Sequence, residues 1–155
     1  KAEKSLDCEL PLTIDPSGVH FRSDGKNYLA GCPPDNDTPV DYNDFNLDYS
    51  LWENKVWPII AKRIPQFDKL RLIKEWAGHY SYNTFDQNAI IGFHSKVKNF
   101  FFANGFSGHG LQHSPGISRG ISELITYNEY KTLDLSPLSF SRIENNKPFL
   151  ETAII

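Results

Sequence analysis

Methionine is missing from all 155 residues, position 1 included, and cysteine is reduced to Cys8 and Cys32. Two cysteines with no C-x-x-C pair exclude a disulfide-dense scaffold, fit a reducing compartment, and are expected to serve as packing residues. Basic residues are also short: 16 Lys and Arg against 19 Asp and Glu leave a net charge of -3. The Lys and Arg side chains are scattered, adjacent only at Lys62-Arg63, so no stripe exists to neutralise phosphates and nucleic acid is not an expected partner. Apolar runs all stop well short of the ~20 residues that a bilayer-crossing helix requires, which excludes a transmembrane segment of that kind. No internal repeat or low-complexity tract occurs. The opening KAEKSLDCELPL has neither the design of a signal peptide nor that of a first structural element. The chain is therefore expected to begin inside a longer protein, with any targeting segment out of view.

What is present suffices for one ordinary core, since 39% of the residues are hydrophobic and 14% aromatic. Turn chemistry at Asp15-Pro16-Ser17-Gly18 and Ser23-Asp24-Gly25-Lys26 brackets the short runs VHFR and NYLAG, which predicts a β-hairpin. A polar, proline-rich connection, CPPDNDTPVDYNDFN, follows. Leu51, Trp52, Val56, Ile59 and Ile60 recur at helical spacing, so a helix is expected from about Asp48 to Ile64-Pro65, kinked at Pro58. LRLIKEWAGHYSYN, NAIIGFH and KNFFFANGF are rich in β-branched and aromatic residues and predict three strands separated by turns at TFDQ and HSKV. Ile117, Ile121, Leu124 and Ile125 make an apolar stripe that predicts an amphipathic helix from Gly110 or Pro115 to Asn128. The fold class is α/β (α+β): a β-hairpin plus a mixed sheet with packed helices.

GFSGHGLQHSPGISR, from Gly105 to Arg119, sets three glycines within six residues between a strand and that helix. Glycine loses the most freedom on folding, so such a cluster marks a strained turn or a close approach to a ligand. A strand, glycine loop and helix aim the free N–H groups and positive dipole of the helix start at whatever lies over the loop, which favours an anion or polarised oxygen. Three familiar motifs with this logic are absent. Gly110 is followed by Leu111 and Gln112 rather than the Lys-Ser/Thr of a P-loop. The spacing G-x-x-G-x-G reverses the dinucleotide fingerprint, and the residue two after Ser107 is His109 rather than the glycine of a nucleophile elbow. His109 and His113 share a helix face, but Gly110 stands where H-E-x-x-H places its glutamate, so no metal is assigned. On spacing alone, a tight strand-to-helix connection without any ligand stays open.

These blocks resemble a known family. DPSGVHFR, VWPIIAKRIPQF, WAGHYSYNTFDQNAIIG, GFSGHGLQHSPGISR, TLDLSPLSFSR and the ending ETAII are similar to the C-terminal half of FAD-dependent oxidoreductases of the D-amino-acid oxidase superfamily, over nearly the whole chain. Within it the likeness is to a mitochondrial branch associated with assembly of respiratory complex I. The resemblance implies that Phe106, Ser107, Gly108, His109, Gly110, Leu111 and Gln112 contact the flavin of FAD. Oriented N–H donors there would stabilise negative charge where it develops on the reduced ring. His79, Tyr80 and Tyr82 are substrate-pocket candidates for a small amine or amino-acid derivative, with ordinary strand packing as the alternative. Strict alternation would keep His79 from pointing with the two tyrosines, which rank above it. Asp86 is expected to shape a turn with Thr84.

Departures from the family pattern narrow the expectation. Residues 76–92 contain no Cys to attach a flavin and no Arg to grip a carboxylate, and Gln112 stands where sarcosine oxidase-like members have a lysine. FAD should therefore be held non-covalently, with weakened recognition of amino-acid carboxylates. None of the ten glycines forms the G-x-G-x-x-G of the N-terminal Rossmann unit that holds the rest of FAD. The expected layout is residues 1–104 as the returning part of the substrate-binding sheet and 105–155 as flavin loop, helix and tail, one structural unit of a larger flavoprotein. Its expected partners are the N-terminal part of that protein and, for a non-catalytic assembly role, respiratory complex subunits; the expected location is the mitochondrion.

Overall fold

The computed structural model describes residues 2–3, 6–36 and 38–152. The described residues divide into two compact units, one up to residue 79 and the other from residue 80 onward. The expected boundary at 104/105 lies inside the second unit, between a strand and the long helix.

The first unit carries a four-stranded antiparallel sheet in the order β1 (Ala2–Glu3), β4 (Asn27–Gly31), β3 (His20–Asp24), β2 (Thr13–Ile14). The expected hairpin is its centre: Asp24 pairs with Asn27 across a two-residue loop, and Gly25 takes φ +58° at the first loop position, where glycine is favoured. Val19, Phe21 and Tyr28 turn inward from the hairpin and meet Val56, Ile60 and Phe67, all buried. The Tyr28 ring lies 4.5 Å from that of Phe67 and its hydroxyl accepts the Leu6 N–H at 3.0 Å, so the polar end of a buried ring is satisfied. Cys32 packs at the margin of this core; Cys8 is exposed, so only one of the two cysteines packs as expected.

The kink expected at Pro58 takes another form. Trp52–Val56 make a π-helical turn that passes into α1 (Trp57–Arg63), with Pro58 in the first turn of the α-helix. The chain is already helical from Ser50, and the π-helical turn just upstream accommodates a ring that cannot donate an N–H to the preceding turn. α1 ends at Ile64 before Pro65, as the proline predicts.

The strand expected over LRLIKEWAGHYSYN does not form. Apart from one bridge residue, Leu72, residues 70–83 have no ladder. A strand exists only against a partner's N–H and C=O groups, and no described strand pairs with this run. Leu72, Ile73 and Trp76 are consequently exposed. The sheets are likewise antiparallel throughout the described residues rather than mixed.

In the second unit β5 (Ile90–Phe93) and β6 (Phe101–Asn104) pair antiparallel, with Phe93 opposite Phe101. α2 (Gly110–Tyr127) starts at the glycine loop and buries Ile117, Gly120 and Glu123. Its expected apolar stripe is one residue too wide: Ile125 faces outward, 60% exposed. Pro115 sits inside α2 and cannot bond the Leu111 carbonyl, which instead accepts the Ser114 hydroxyl at 2.9 Å. Gly120 lets Leu135 approach so closely that a Cβ there would overlap its Cδ1. Asn128 closes α2 in the left-handed conformation at φ +59°.

Two ionic clusters hold the unit. The Glu123 carboxylate, 4% exposed as a residue, accepts Arg119 Nε at 2.6 Å, the N–H groups of Lys131 and Thr132 at 2.8 and 3.0 Å, and the Thr132 hydroxyl at 2.7 Å. Arg119 and these donors hold its pKa down to about 2. Asp86 is fully buried and paired with Arg142 through Nε at 2.6 Å and Nη2 at 2.9 Å. Burial alone pushes the Asp86 carboxyl up, but Arg142 and the Phe149 and Asn88 N–H groups outweigh it and the net shift is downward. Asp86 thus belongs to the turn, as expected, and also anchors the C-terminal segment.

Both carboxylates are depressed on folding, so the stability they contribute is complete above the ordinary carboxylate range and is lost as pH falls through it. Urea midpoints followed from about pH 6 to about pH 2 should fall steeply below about 4.5. Glu123→Gln should lower the midpoint at neutral pH and flatten the acid fall; a curve parallel to the wild type would remove Glu123 from this role.

Candidate functional site

The site is built on the connection between β6 and α2. Gly105, Ser107 and Gly108 take φ of +71°, +46° and +94°, so three of four consecutive residues are left-handed and the chain coils before the helix starts. Residues 81–83 hold it in that shape. Ser81 accepts the Ser107 N–H on its carbonyl at 3.1 Å and the Gly105 N–H on its hydroxyl at 3.2 Å. In return the Asn83 N–H donates to Ser107 Oγ at 3.0 Å. Ser107 is wholly buried. Of the predicted contact stretch, this residue faces the protein and fixes the loop from within.

The rest of the stretch opens outward. The His109 N–H is used by the Phe106 carbonyl at 2.9 Å. Among the described residues, the N–H groups of Gly108, Gly110, Leu111 and Gln112 have no acceptor. His109 is the N-cap of α2 and makes no side-chain cap bond, although that position favours Ser, Thr, Asp or Asn. Its Nδ1 is buried without a partner, and its ring stacks on that of His113 with centroids 5.4 Å apart and planes at 15°. Leu111 and Gln112 project into solvent, Leu111 at 86% exposure. Phe106 joins the core formed by Ala89, Ile91, Ile117 and Leu135.

The pocket candidates part company. Tyr80 lies flat against the loop: a Cβ on Gly108 would stand 2.7–3.3 Å from its ring atoms. Tyr82 is exposed in the same unit. His79 belongs to the first unit, where its Nε2 lies 2.7 Å from the Asp44 carbonyl and its ring meets Phe45 edge-on at 4.4 Å. Period-two alternation survives without a ladder, because Ser81 and Asn83 turn to the loop. Sequence reasoning passed over those two; the small polar residues alternating with Tyr80 and Tyr82 were the available signal. Among the described residues no three His, Cys, Asp or Glu side chains converge as metal ligands.

Residues 2–124 match the model of the FAD dependent oxidoreductase family. The chain is 47% identical over 152 residues to FAD-dependent oxidoreductase domain-containing protein 1 of Xenopus laevis, covering 97% of this chain and 30% of that protein. The mouse (Mus musculus) protein of the same name is 48% identical over 136 residues, covering 86% and 28% respectively. The chain thus spans about 30% of the length of these relatives. In backbone it is similar to L-proline dehydrogenase from P. horikoshii, with a TM-score of 0.79 and 24% identity over 89% of this chain and 36% of that one. The chain belongs to the FAD dependent oxidoreductase family, and that membership implies FAD.

Gly108→Ala should destabilise the chain by about 1–3 kcal/mol in urea unfolding, through both the left-handed φ and the Tyr80 ring. Adding Tyr80→Ala should return the steric share of that loss; full additivity would show that ring and glycine do not meet.

Proposed function

We propose that this chain is the C-terminal part of an FAD-dependent oxidoreductase of the amine or amino-acid oxidising type, with the loop Phe106–Gln112 as its edge of the flavin site. The observation that carries it is the set of N–H groups at Gly110, Leu111 and Gln112 without an acceptor, beside the unpartnered Nδ1 of the uncapped His109. Such donors at the positive end of an 18-residue helix suit an electron-rich ring edge, and the left-handed glycines let it come close. Bound FAD supplies the two-electron acceptor for oxidation of a C–H bond next to nitrogen. The chain's own residues bind and orient: the main-chain N–H groups hold the cofactor's polar edge, and Ser107, tied to residues 81–83, keeps the loop from collapsing onto it.

Tyr80 and Tyr82 are the substrate wall, Tyr80 set in place by the loop itself; His79 is the third candidate for the wall. With no Cys in residues 76–92, the cofactor is held non-covalently. The pyrophosphate and adenine need the remaining, N-terminal portion of the protein, so this chain alone binds FAD weakly. A second reading, a non-catalytic component that assists assembly of a mitochondrial respiratory complex while keeping this fold, draws support from the missing Arg in residues 76–92 and the neutral Gln112.

The full-length protein should be purified yellow and release its FAD into the supernatant on acid precipitation. Gly108→Val should weaken FAD binding about tenfold or more, an order set by loss of close backbone contact. A colourless protein that takes up no FAD overturns the flavin site. Flavin bleaching by a member of a panel of N-methyl and D-amino acids supports the oxidase; a yellow protein bleached by none favours the assembly role.

A further inference from the structure

We propose that the tip of the β5–β6 hairpin, residues 93–100, is a docking point for an anionic lipid surface, independent of the flavin reading. Charge is the first observation. In a chain of net charge -3, no Asp or Glu occurs between Asp86 and Glu123, and the hairpin tip carries Lys96 and Lys98. The Lys96 side chain is 82% exposed, with a loose 3.6 Å contact to Glu144; Lys98 has no ion-pair partner among the described residues.

Apolar exposure is the second. Phe93, Val97 and Phe100, interleaved with those lysines, are all more than two-fifths exposed (42%, 52% and 47%). Phe93 and Phe100 lie on opposite faces of the hairpin, Phe93 against Phe101 and Phe100 against Phe102, with Val97 at the turn between them, so the tip presents its apolar groups end-on. The His94 N–H closes it on the Phe100 carbonyl at 2.9 Å, and His94 Nδ1 accepts the N–H groups of Lys96 and Val97 at 3.0 and 3.2 Å. Asn99 turns the chain at φ +60°, and Ser95 donates to Glu144 at 2.8 Å. Behind this turn the rings of His94, Phe102 and Phe140 stack with centroids 4.7–5.5 Å apart, giving the projecting side chains a stiff base.

A rigid turn that offers aliphatic and aromatic side chains beside ammonium groups matches a headgroup boundary: the apolar groups enter the acyl margin while the lysines meet lipid phosphates. No described helix is long and apolar enough to cross a membrane. Two lysines and three apolar side chains give reversible, salt-sensitive binding.

The test uses the full-length protein sedimented with vesicles of phosphatidylcholine alone and of phosphatidylcholine with phosphatidylglycerol. Binding is expected to the anionic vesicles, weaker to the neutral ones, and to fall as salt rises. Lys96→Gln and Lys98→Gln should each reduce it about fivefold. Val97→Asp should abolish it, with an unfolding midpoint equal to the wild type because the position is exposed. A full-length protein that stays in the supernatant with both vesicles, as it would if another part of the polypeptide covered the tip, overturns the proposal. So does a folded Val97→Asp variant that sediments like the wild type.

Discussion

The second unit depends on one buried ion pair. Taking Asp86 and Arg142 out of water is expensive unless every charge-bearing atom finds a partner, and here they do. Arg142 Nη1 donates to the Leu138 and Ser139 carbonyls at 2.6 and 3.2 Å, and Nη2 to the Asn88 carbonyl at 3.0 Å, besides the two contacts to Asp86. Asp86 in turn accepts the Phe149 N–H and the Asn83 side-chain amide, each at 3.0 Å. Asn83 completes the connection by donating its N–H to Ser107. A continuous set of charge-assisted and neutral hydrogen bonds therefore runs from the C-terminal segment through the 83–88 turn to the inside of the glycine loop. Such a network resists deformation because breaking any member leaves a buried polar group unpaired.

That rigidity bears on what the loop can do. Every helix begins with unsatisfied N–H groups, so free amides at Gly110 to Gln112 would mean little alone. Their setting is what distinguishes them. Ser107, a good capping residue, is two positions before the N-cap and is turned inward to serve residues 81–83. The N-cap falls to His109, which caps nothing. The capping hydroxyl is spent on stiffness, and among the described residues the N–H groups of Gly110, Leu111 and Gln112 have no acceptor.

Short-range patterns carried the local elements. The 24–27 turn, β5, β6, the end of α1 before Pro65 and the span of α2 all follow from residues within a few positions of each other. What failed was nonlocal. Residues 70–83 have the composition of a strand, yet β structure requires a partner, and composition cannot supply one. Glu123 sits on the buried face of α2 because residues 131 and 132 return to it, and Gly120 is needed because Leu135 packs there; neither neighbour is visible from the helix's own periodicity. The loop at 105–110 stood out for its glycines, whereas its supports at Ser81 and Asn83 did not, being ordinary residues whose importance lies in what faces them.

The division between backbone and side chain also orders what the site says about chemistry. On the proposed function, cofactor recognition at this loop would rest on main-chain N–H groups and on the absence of Cβ atoms, features that tolerate change in most side chains. Substrate recognition would then rest on the side chains proposed as the substrate wall. Tyr80 and Tyr82 offer ring faces and phenol hydroxyls, residues 76–92 hold no Arg, and Gln112 is a neutral amide at the first turn of α2. A wall so made would orient a substrate by shape and neutral hydrogen bonds. Substrates that depend on a bidentate grip of a carboxylate would find there no charge-assisted contact from these residues. The positions proposed to hold the ring and those proposed to choose its substrate thus lie on different segments, the first in the glycines and helix start of residues 105–112, the second in the two tyrosines of residues 80–82.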